Sequence, residues 1–345
     1  MISVKLRDYL IRRILLAIPV VLGVLVITFV LSYWVGNPIA LYITERTPDE
    51  RIPIIMHEHG LDQPLYIQFF YYLRDIFSGD WGYSRTAHMD VTQAIATYLP
   101  ATIELALVAM IIAVIVGIPL GIISATKKDK PVDHVLRVVA LAGVSMPIFW
   151  FALMLKMIFF FQLNQMGLPH LPESGRFSIG YVDYGFGPTG FILVDALITG
   201  DIVLFFDALV HLILPATALA YLSLAVIMRM MRSSMLEVLK EDYITLARAK
   251  GLRERVVIYK HALRNALIPT VTVIGLAFGG LISGAVLTET IFNWYGMGQW
   301  STSSIMGSDI PSISAFVLIV AIVYVSANLL VDMLYGSLDP RIRYG

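Results

Sequence analysis

The sequence contains no cysteine among its 345 residues, which excludes disulfide bonds, thiolate metal sites and a cysteine nucleophile. Charged residues are also scarce, at 14% of the chain, whereas a typical soluble domain carries about 25%. The formal net charge is zero, so no overall electrostatic field points to nucleic acid as a partner. Cysteine chemistry is therefore excluded, and nothing in the charge balance favours a nucleic-acid-binding protein.

Two motifs that would give the chain chemistry of its own are also missing. There is no Gly-x-x-x-x-Gly-Lys-Ser/Thr loop, and not even a Gly-Lys pair, so the chain cannot hold ATP in that way. There is no His-Glu-x-x-His, and His57-Glu58-His59 has the wrong spacing for it. We therefore predict no catalytic residue, no metal site and no cofactor bound by this chain.

Long apolar runs dominate what is present. Hydrophobic residues make up 58% of the chain, the mean hydropathy is +0.77, and the apolar residues fall in blocks long enough to cross a hydrocarbon layer of about 30 Å. Only helices or closed barrels satisfy the backbone in lipid, and the strand pattern of a barrel is not seen. We predict an all-α integral membrane protein with six spans, at 12–35, 99–124, 136–163, 208–230, 266–289 and 312–334.

The first span resembles a signal peptide in having a basic start, but Ile14 to Val35 is longer than a typical signal core and no cleavage site follows. We expect a retained first helix. The chain then divides into a first helix at 1–35, a cap at 36–97, spans two to six at 98–334 and a tail at 335–345. Within the cap we predict a helix near 64–77, and after the third span a short helix from Phe191 to Leu197.

Basic residues predict the orientation. Nineteen lysines and arginines lie in the N-terminal segment, the 125–137 loop, the 229–265 loop and the tail, against five in the opposite loops. Because basic loops stay in the cytoplasm, we expect both termini and the 229–265 loop to be cytoplasmic, in a multi-pass protein of the cell membrane. The 36–98 and 164–207 segments would then be external.

Three pairs of glycines recur at a spacing of four, which lets membrane helices approach closely. They are Gly117 and Gly121, Gly275 and Gly279, and Gly280 and Gly284. Small residues are common in any membrane bundle, so these pairs indicate packed helices and no particular function.

The 229–265 loop carries the functional signal. Leu236, Leu239, Tyr243 and Leu246 form an amphipathic stripe, and Gly251 then breaks the helix. A second stripe follows at Val256, Tyr259, Leu263 and Leu267. We call the segment 236–264 the elbow, since two predicted helices flank a tight turn at 247–251. It is suited to insertion into a groove of another protein, and the alternative is a basic loop lying on anionic lipid headgroups.

The elbow resembles the coupling loop of permeases from binding-protein-dependent ABC importers, most of all the dipeptide, oligopeptide and nickel branch. The resemblance rests on Glu237-Val-Leu-Lys-Glu-Asp-Tyr-Ile-Thr-Leu-Ala-Arg-Ala-Lys-Gly251 and His261-Ala-Leu-Arg-Asn-Ala-Leu-Ile-Pro269. Further matches cover most of the chain: the segment from Arg12 to Pro19, Gly60-Leu-Asp-Gln-Pro64, Gly79-Asp-Trp-Gly-Tyr-Ser84, Leu99-Pro-Ala-Thr-x-Glu-Leu-Ala106, Gly117-Ile-Pro-Leu-Gly121, Ser145-x-Pro-x-Phe-Trp150, His211-Leu-x-Leu-Pro215, Gly284-Ala-Val-Leu-x-Glu289 and Leu338-Asp-Pro-Arg341.

The chain departs from the general importer pattern at two positions. Thr245 stands where the loop usually has glutamate, and Arg264 replaces the first of its two prolines. The long insertion after the first span resembles the first of the two paired permeases in this branch. Val35-Gly-Asn-Pro38 replaces the usual Pro-Gly-Asp-Pro, a change to which we attach no functional loss.

The resemblance implies the type I importer permease fold and a defined set of partners. These would be a second homologous permease, two ABC ATPase subunits that bind ATP and Mg²⁺, an external substrate-binding protein and the lipid bilayer. The cargo would be di- or oligopeptides, with oligosaccharides or nickel as alternatives. The residues it implies for contact with the ATPase are Glu241, Asp242, Tyr243, Ala247, Arg248, Ala249, Lys250, Gly251 and Leu252.

Ionisable and polar residues in membrane spans are costly and often functional. Five lie in or near the predicted spans: Glu104, Lys156, Glu289, Asn328 and Asp332. Most sit near span ends, where pairing or snorkelling explains them. We name Asn328 and Glu289 as candidate passage or gate residues, with a structural role as the alternative.

Two other classes remain open from the residues alone. An ion-coupled secondary transporter predicts inverted repeats with broken helices, and no such duplication is seen. An intramembrane enzyme needs a catalytic motif that is absent. The importer permease is the interpretation that explains the elbow.

Overall fold

The computed structural model describes residues 6–35, 38–43, 47–178 and 187–338. Several residues used in the sequence analysis lie outside the described part. They are Gly36, Asn37, the tail beyond 338, the basic side chains of residues 1–13 and the side chain of Asp332. Expectations that depend on those residues stay predictions.

The first third of the chain contains one long helix and the cap. Helix α1 runs over Leu6–Val30 and continues as a π-helical turn, Leu31–Val35. Two 3-10 turns, Pro38–Leu41 and Asp49–Arg51, lead to α2 (Ile52–Glu58) and α3 (Leu65–Ser78). A short antiparallel hairpin, β1 (Tyr83–Ser84) and β2 (Met89–Asp90), pairs Tyr83 with Asp90 and Ser84 with Met89.

The rest of the described chain is helical apart from its connections. The long helices are α4 (Val91–Thr126), α9 (Ile202–Val238), α12 (Leu263–Phe292) and α14 (Ile310–Leu338). The π-helical turns Met157–Gln162 and Val257–Ala262 follow α6 and α11. Shorter helices are α5 (Pro131–Ser145), α6 (Ile148–Lys156), α7 (Leu163–Gln165), α8 (Ile192–Thr199), α10 (Asp242–Ala249), α11 (Glu254–Val256) and α13 (Met297–Met306).

Six helical segments in the described part are long and apolar enough to cross a membrane, which confirms the predicted number. The predicted cap helix at 64–77 is confirmed as α3, and the predicted short helix after the third span is α8. Several helices extend beyond the predicted spans. Polar turns at their ends stay helical because their backbone groups remain paired within the helix.

The third span was predicted as one helix over 136–163, and this is wrong. Helix α5 ends at Ser145, Met146 adopts an extended conformation, and α6 begins after Pro147. A proline disfavours the helical region for the residue before it, which explains the break at Met146. The membrane-crossing segment is Ile148–Gln165 instead.

The bundle core is built where α4, α9 and α12 meet. It is rich in small side chains, which allow the helices to approach closely. Its buried members include Ala101, Ala106, Ala109, Ala113, Ala216, Ala220 and Ala285, with Leu105, Leu212 and Leu219 filling the remaining space.

Two of the three glycine pairs lie at close helix contacts. A Cβ on Gly121 would lie 2.6 Å from Cβ of Met231 and 2.7 Å from the Met228 carbonyl oxygen, so α4 rests directly on α9. A Cβ on Gly279 would lie 2.7 Å from the Tyr324 ring of α14. Gly280 and Gly284, by contrast, line an apolar cavity of about 430 Å³ beside α6, α9 and α12.

The cap is anchored to the bundle by aromatic packing and hydrogen bonds. Phe29 and Tyr33 of the first helical segment pack with Tyr72 of α3, whose hydroxyl lies 2.8 Å from Thr28 Oγ1. At the hairpin, the Ser84 hydroxyl donates to a carboxylate oxygen of Asp309, at the start of α14, over 3.0 Å. The cap is therefore joined to both the first and the last membrane helix.

We expect Gly121→Ala to destabilise the protein by roughly 1–3 kcal/mol, because the added methyl group overlaps the α9 backbone. Gly23→Ala in α1 is the matched control, since a methyl group added there would meet no atom within 4 Å. Thermal unfolding of both purified variants in the same detergent measures the difference. An equal midpoint for the two variants would contradict this account of the α4–α9 contact.

Candidate coupling site and buried polar network

The elbow joins two of the long helices of the bundle, α9 and α12. Helix α9 ends at Val238, Leu239–Glu241 forms a turn, and α10 follows from Asp242. The predicted single stripe through Leu236, Leu239, Tyr243 and Leu246 is therefore wrong, because the turn shifts the helical phase. The run Lys240-Glu241-Asp242, with an acidic residue in the first turn of α10, is the sequence signal for this new helix start.

Helix α10 has one buried and one exposed side. Ile244 is fully buried and Ala247 nearly so, against Met231 and Met235 of α9. Leu246 is 55% exposed, and Tyr243 is also exposed. The buried pair holds α10 on its own bundle, while Leu246 lies on the far side of the helix and is not covered by the part of the chain that the structure describes.

Gly251 ends α10 in the way predicted. Its φ is +74°, in the left-handed region that glycine adopts without a steric penalty. The Gly251 N–H donates to the Arg248 carbonyl over 2.9 Å, and the Leu252 N–H reaches the Ala247 carbonyl over 3.4 Å. This pairing satisfies carbonyls at the helix end, as in a Schellman motif.

Two side-chain contacts brace the turn. Arg248 donates from Nη2 to Glu254 Oε1 over 2.8 Å, closing the corner between α10 and α11. Asn265 donates from Nδ2 to the Tyr243 hydroxyl over 2.7 Å, which links α10 to α12. The ion pair is exposed and contributes at most about 1 kcal/mol, so the buried Ile244 is the stronger anchor.

An apolar groove of about 480 Å³ lies beside the elbow on the first turns of α12. Tyr259, Leu263 and Leu267 of the second predicted stripe line this groove. Leu263 and Leu267 also pack against the buried cluster that contains Val257 and Ala262. The groove is lined by Tyr259, Lys260, Leu263, Arg264, Leu267, Ile268 and Val271.

The structure brings the predicted contact residues together on one short segment. Eight of the nine are exposed, and Ala247 is buried. Ile244 and Leu246 of the elbow, and Asn265 just after it, were not among the nine predicted contact residues. The spacing of Ile244 and Ala247, three residues apart on one helix, could have identified the buried side.

Glu289 was predicted as a passage or gate residue. It is fully buried, accepts hydrogen bonds from Thr102 Oγ1 over 2.6 Å and the Gly298 N–H over 2.7 Å, and caps the start of α13. A Cβ on Gly296 would lie 2.6 Å from both carboxylate oxygens, so glycine is needed there for the close approach. This geometry supports the alternative, a structural role for Glu289, and its gating role stays a prediction.

Asn328, the other candidate gate residue, is half-buried on α14. Its Oδ1 atom is buried and has no hydrogen-bond partner among the described residues. An unpaired amide in a membrane bundle is costly, which keeps Asn328 as a candidate for contact with a group outside the chain.

A buried ion pair lies at the same end of the bundle as Glu289. Arg176, from the segment after α7, donates from Nη2 to Glu104 Oε2 of α4 and to the Gly190 carbonyl, each over 2.9 Å. The other oxygen of Glu104 accepts the Leu193 N–H of α8 over 2.9 Å. Burial lowers the pKa of Arg176 below its ordinary value, and the nearby Glu104 carboxylate opposes that shift.

The described part of the chain, with six helices long and apolar enough to cross a membrane and a braced elbow between two of them, has the architecture of a polytopic helical membrane protein. Two family models match the sequence. The N-terminal model of binding-protein-dependent transport system membrane components matches 6–106, and the model of binding-protein-dependent transport system inner membrane components matches 117–344. The chain belongs to this family of inner-membrane permease components.

Relatives match over nearly the whole chain. A probable D,D-dipeptide transport system permease protein of Escherichia coli is 45% identical over 94% of each chain. A dipeptide transport system permease protein of the same species is 44% identical over 98% of this chain and 99% of its own. An oligopeptide transport system permease protein of Bacillus subtilis is 36% identical over 97% and 99%.

We expect Arg176→Met to destabilise the protein by about 3–5 kcal/mol, because it leaves the Glu104 carboxylate buried without its counter-ion. Adding Glu104→Gln should restore part of this loss, since the pair is then neutral. Arg248→Met, which breaks the exposed pair with Glu254, should cost about 1 kcal/mol or less. Thermal unfolding midpoints in detergent test this ranking of the two destabilising effects. A midpoint for Arg176→Met as high as that for Arg248→Met would contradict it.

Proposed function

We propose that this chain is a permease subunit of an ATP-driven importer and that it forms half of the membrane passage for di- or oligopeptides. Its family membership and its close relatives, which are permeases of dipeptide and oligopeptide transport systems, support this proposal. The observation that carries the mechanism is the elbow, a braced helical corner with exposed apolar side chains between two long membrane helices.

Energy must then reach the passage through other subunits. The sequence lacks the phosphate-binding loop of nucleotide hydrolases, so ATP and Mg²⁺ would bind to two partner ATPase subunits. A second homologous permease would complete the passage, and an external binding protein would deliver the peptide. The excess of basic residues in the elbow and in the 125–137 loop supports a cytoplasmic location for both termini and for the ATPase contact.

The elbow is suited to transmit force. Ile244 and Ala247 hold α10 against α9. The same buried cluster includes Ala262, just before α12, and Ala266 of α12. A push on the exposed side of α10 would therefore move α9 and α12 together. Rigid-body motion of packed helices is one of the ways in which proteins switch between two conformations.

The cavity beside Gly280 and Gly284 is the surface we assign to the second permease. It is apolar, and a Cβ on Gly280 would meet no atom of this chain within 4 Å. Gly280 is exposed, and a small residue on the surface of a membrane helix is suited to close packing against a helix of another subunit.

Leu246→Asp should weaken association with the ATPase subunits by at least about tenfold, because it places a charge in the centre of the proposed apolar contact. The chain itself should stay folded, since Leu246 is exposed. Thr245→Glu is the matched control: it adds the same charge one residue away, at the position where importer loops usually have glutamate. Co-purification of tagged permease with its ATPases measures the effect, and equal recovery for both variants would argue against this contact.

Gly251→Val should reduce peptide uptake to a few per cent of the normal rate, because a β-branched residue at φ +74° is strained and shifts the corner. Gly251→Asn should retain much more activity, since asparagine tolerates this conformation. Uptake into vesicles at matched expression is the measurement, with the affinity of the binding protein for peptide as a control that should not change. Normal uptake by Gly251→Val would contradict the coupling role.

The proposed cargo and energy source can be tested separately. Uptake by the assembled system should require ATP and should persist when ion gradients are collapsed, whereas an ion-coupled transporter would show the opposite. A binding screen of dipeptides, longer peptides, oligosaccharides and Ni²⁺ on the partner binding protein then distinguishes peptides from the alternative cargoes.

A further inference from the structure

Helix α3 of the cap has two sides that are already occupied. On one side, Gln68 donates from Nε2 to the Leu61 and Gln63 carbonyls, and the carboxylate of Asp75 accepts from the Tyr42 hydroxyl over 3.0 Å. These contacts hold α3 against the remainder of the cap. On the neighbouring side, Phe69 and Tyr72 pack against Phe29 of α1, with ring centroids 5.2 and 5.7 Å apart.

The side facing away from the cap is aromatic and uncovered. Tyr66, Phe70 and Phe77 are 68%, 67% and 80% exposed. Residues four and eleven positions apart lie within roughly 40° of each other on a helix of 3.6 residues per turn. The three rings therefore form one stripe, which we call the aromatic face of α3.

The charges of α3 lie away from the centre of this stripe. Asp75 is buried on the opposite side, and Arg74 pairs with it over 2.7 Å. The Arg74 guanidinium also lies over the Tyr71 ring, 4.6 Å from its centroid. The aromatic face thus combines large apolar area with charges that are neutralised at its edge.

The depth of α3 along α1 indicates what covers this face. The Tyr72 hydroxyl lies 2.8 Å from Thr28 Oγ1, and the backbones of α1 and α3 approach within 8 Å. The run without a charge in the first helix extends from Ile14 to Val35, so Thr28 lies seven residues inside its end. At 1.5 Å per residue this is about 10 Å below the end of the apolar run.

The adjacent surface of α1 is also apolar and uncovered. Leu22, Val26 and Ile27 are exposed on a helix that spans the membrane, so they face lipid. Ile27 is next to Thr28, whose hydroxyl contacts Tyr72 of α3, so these exposed apolar side chains of α1 lie at a level close to that of α3. Interfacial helices bury their apolar side about 5–10 Å into the boundary between headgroups and acyl chains, and aromatic residues concentrate there.

We propose that α3 is an interfacial helix whose aromatic face, Tyr66, Phe70 and Phe77, inserts into the membrane leaflet at the Val35 end of α1. The cap is then held by the lipid surface as well as by its contacts with α1 and α14. The inference depends on membrane insertion of α1 and requires neither the proposed cargo nor the ATPase contact.

The absence of cysteine allows a direct test. Single variants Tyr66→Cys, Phe70→Cys and Phe77→Cys are labelled with a nitroxide and reconstituted as the full chain in lipid nanodiscs. Collision rates with oxygen, which concentrates in lipid, and with a water-soluble nickel chelate then report the surroundings of each label. Leu22→Cys is the lipid-facing control, and Glu58→Cys is the control for an exposed polar position of the cap.

We expect the ratio of oxygen to nickel collisions at all three positions to exceed that of Glu58→Cys by about threefold or more and to approach that of Leu22→Cys. A ratio equal to that of Glu58→Cys would place the face in water and overturn the proposal. Low collision rates with both probes would mean that protein covers the face, which also overturns it. So would nickel access that disappears only when the binding protein is added, because the occupant would then be that protein.

Discussion

The close contact between α4 and α9 is the constraint on which the rest of the structure depends. In lipid, helices gain little from the hydrophobic effect by associating with one another, so they rely on tight packing. Gly121 allows the α4 backbone to rest on Met228 and Met231, and alanines continue this contact along the core. Because α9 runs directly into the elbow, the position of the coupling site is set by this packing.

The two ends of the bundle are organised by different physical means. At the elbow end, apolar anchors such as Ile244 hold α10, and the exposed pair of Arg248 and Glu254 adds little. At the other end, buried carboxylates of Glu104 and Glu289 are surrounded by N–H and O–H donors and by Arg176. The paired groups of this network favour one arrangement, because a buried polar group without a partner is costly. Nε and Nη1 of Arg176 have no partner among the described residues.

Most of the fold could be predicted from the sequence, because membrane helices need about twenty apolar residues and such runs are easily recognised. The number of spans, the cap helix and the helix end at Gly251 follow from local patterns. The prediction of the third span as one helix was wrong, because the apolar run continues through Pro147. Hydropathy alone does not show that Met146, the residue before this proline, leaves the helical conformation. The prediction of a single amphipathic stripe in the elbow was wrong as well. A short turn at 239–241 changes the helical phase, although the spacing of apolar residues along the sequence continues through it.

By itself, the sequence determined the class of this protein: a polytopic membrane subunit with a basic, glycine-ended elbow, in a chain that has no cysteine and no Gly-x-x-x-x-Gly-Lys-Ser/Thr motif. These properties depend on composition and on residues near one another in the chain. Only the tertiary structure decided that Glu289 caps α13 and that Arg176 pairs with Glu104 across 72 positions. Such contacts arise from the way the long helices pack, and local sequence spacing carries no record of that arrangement.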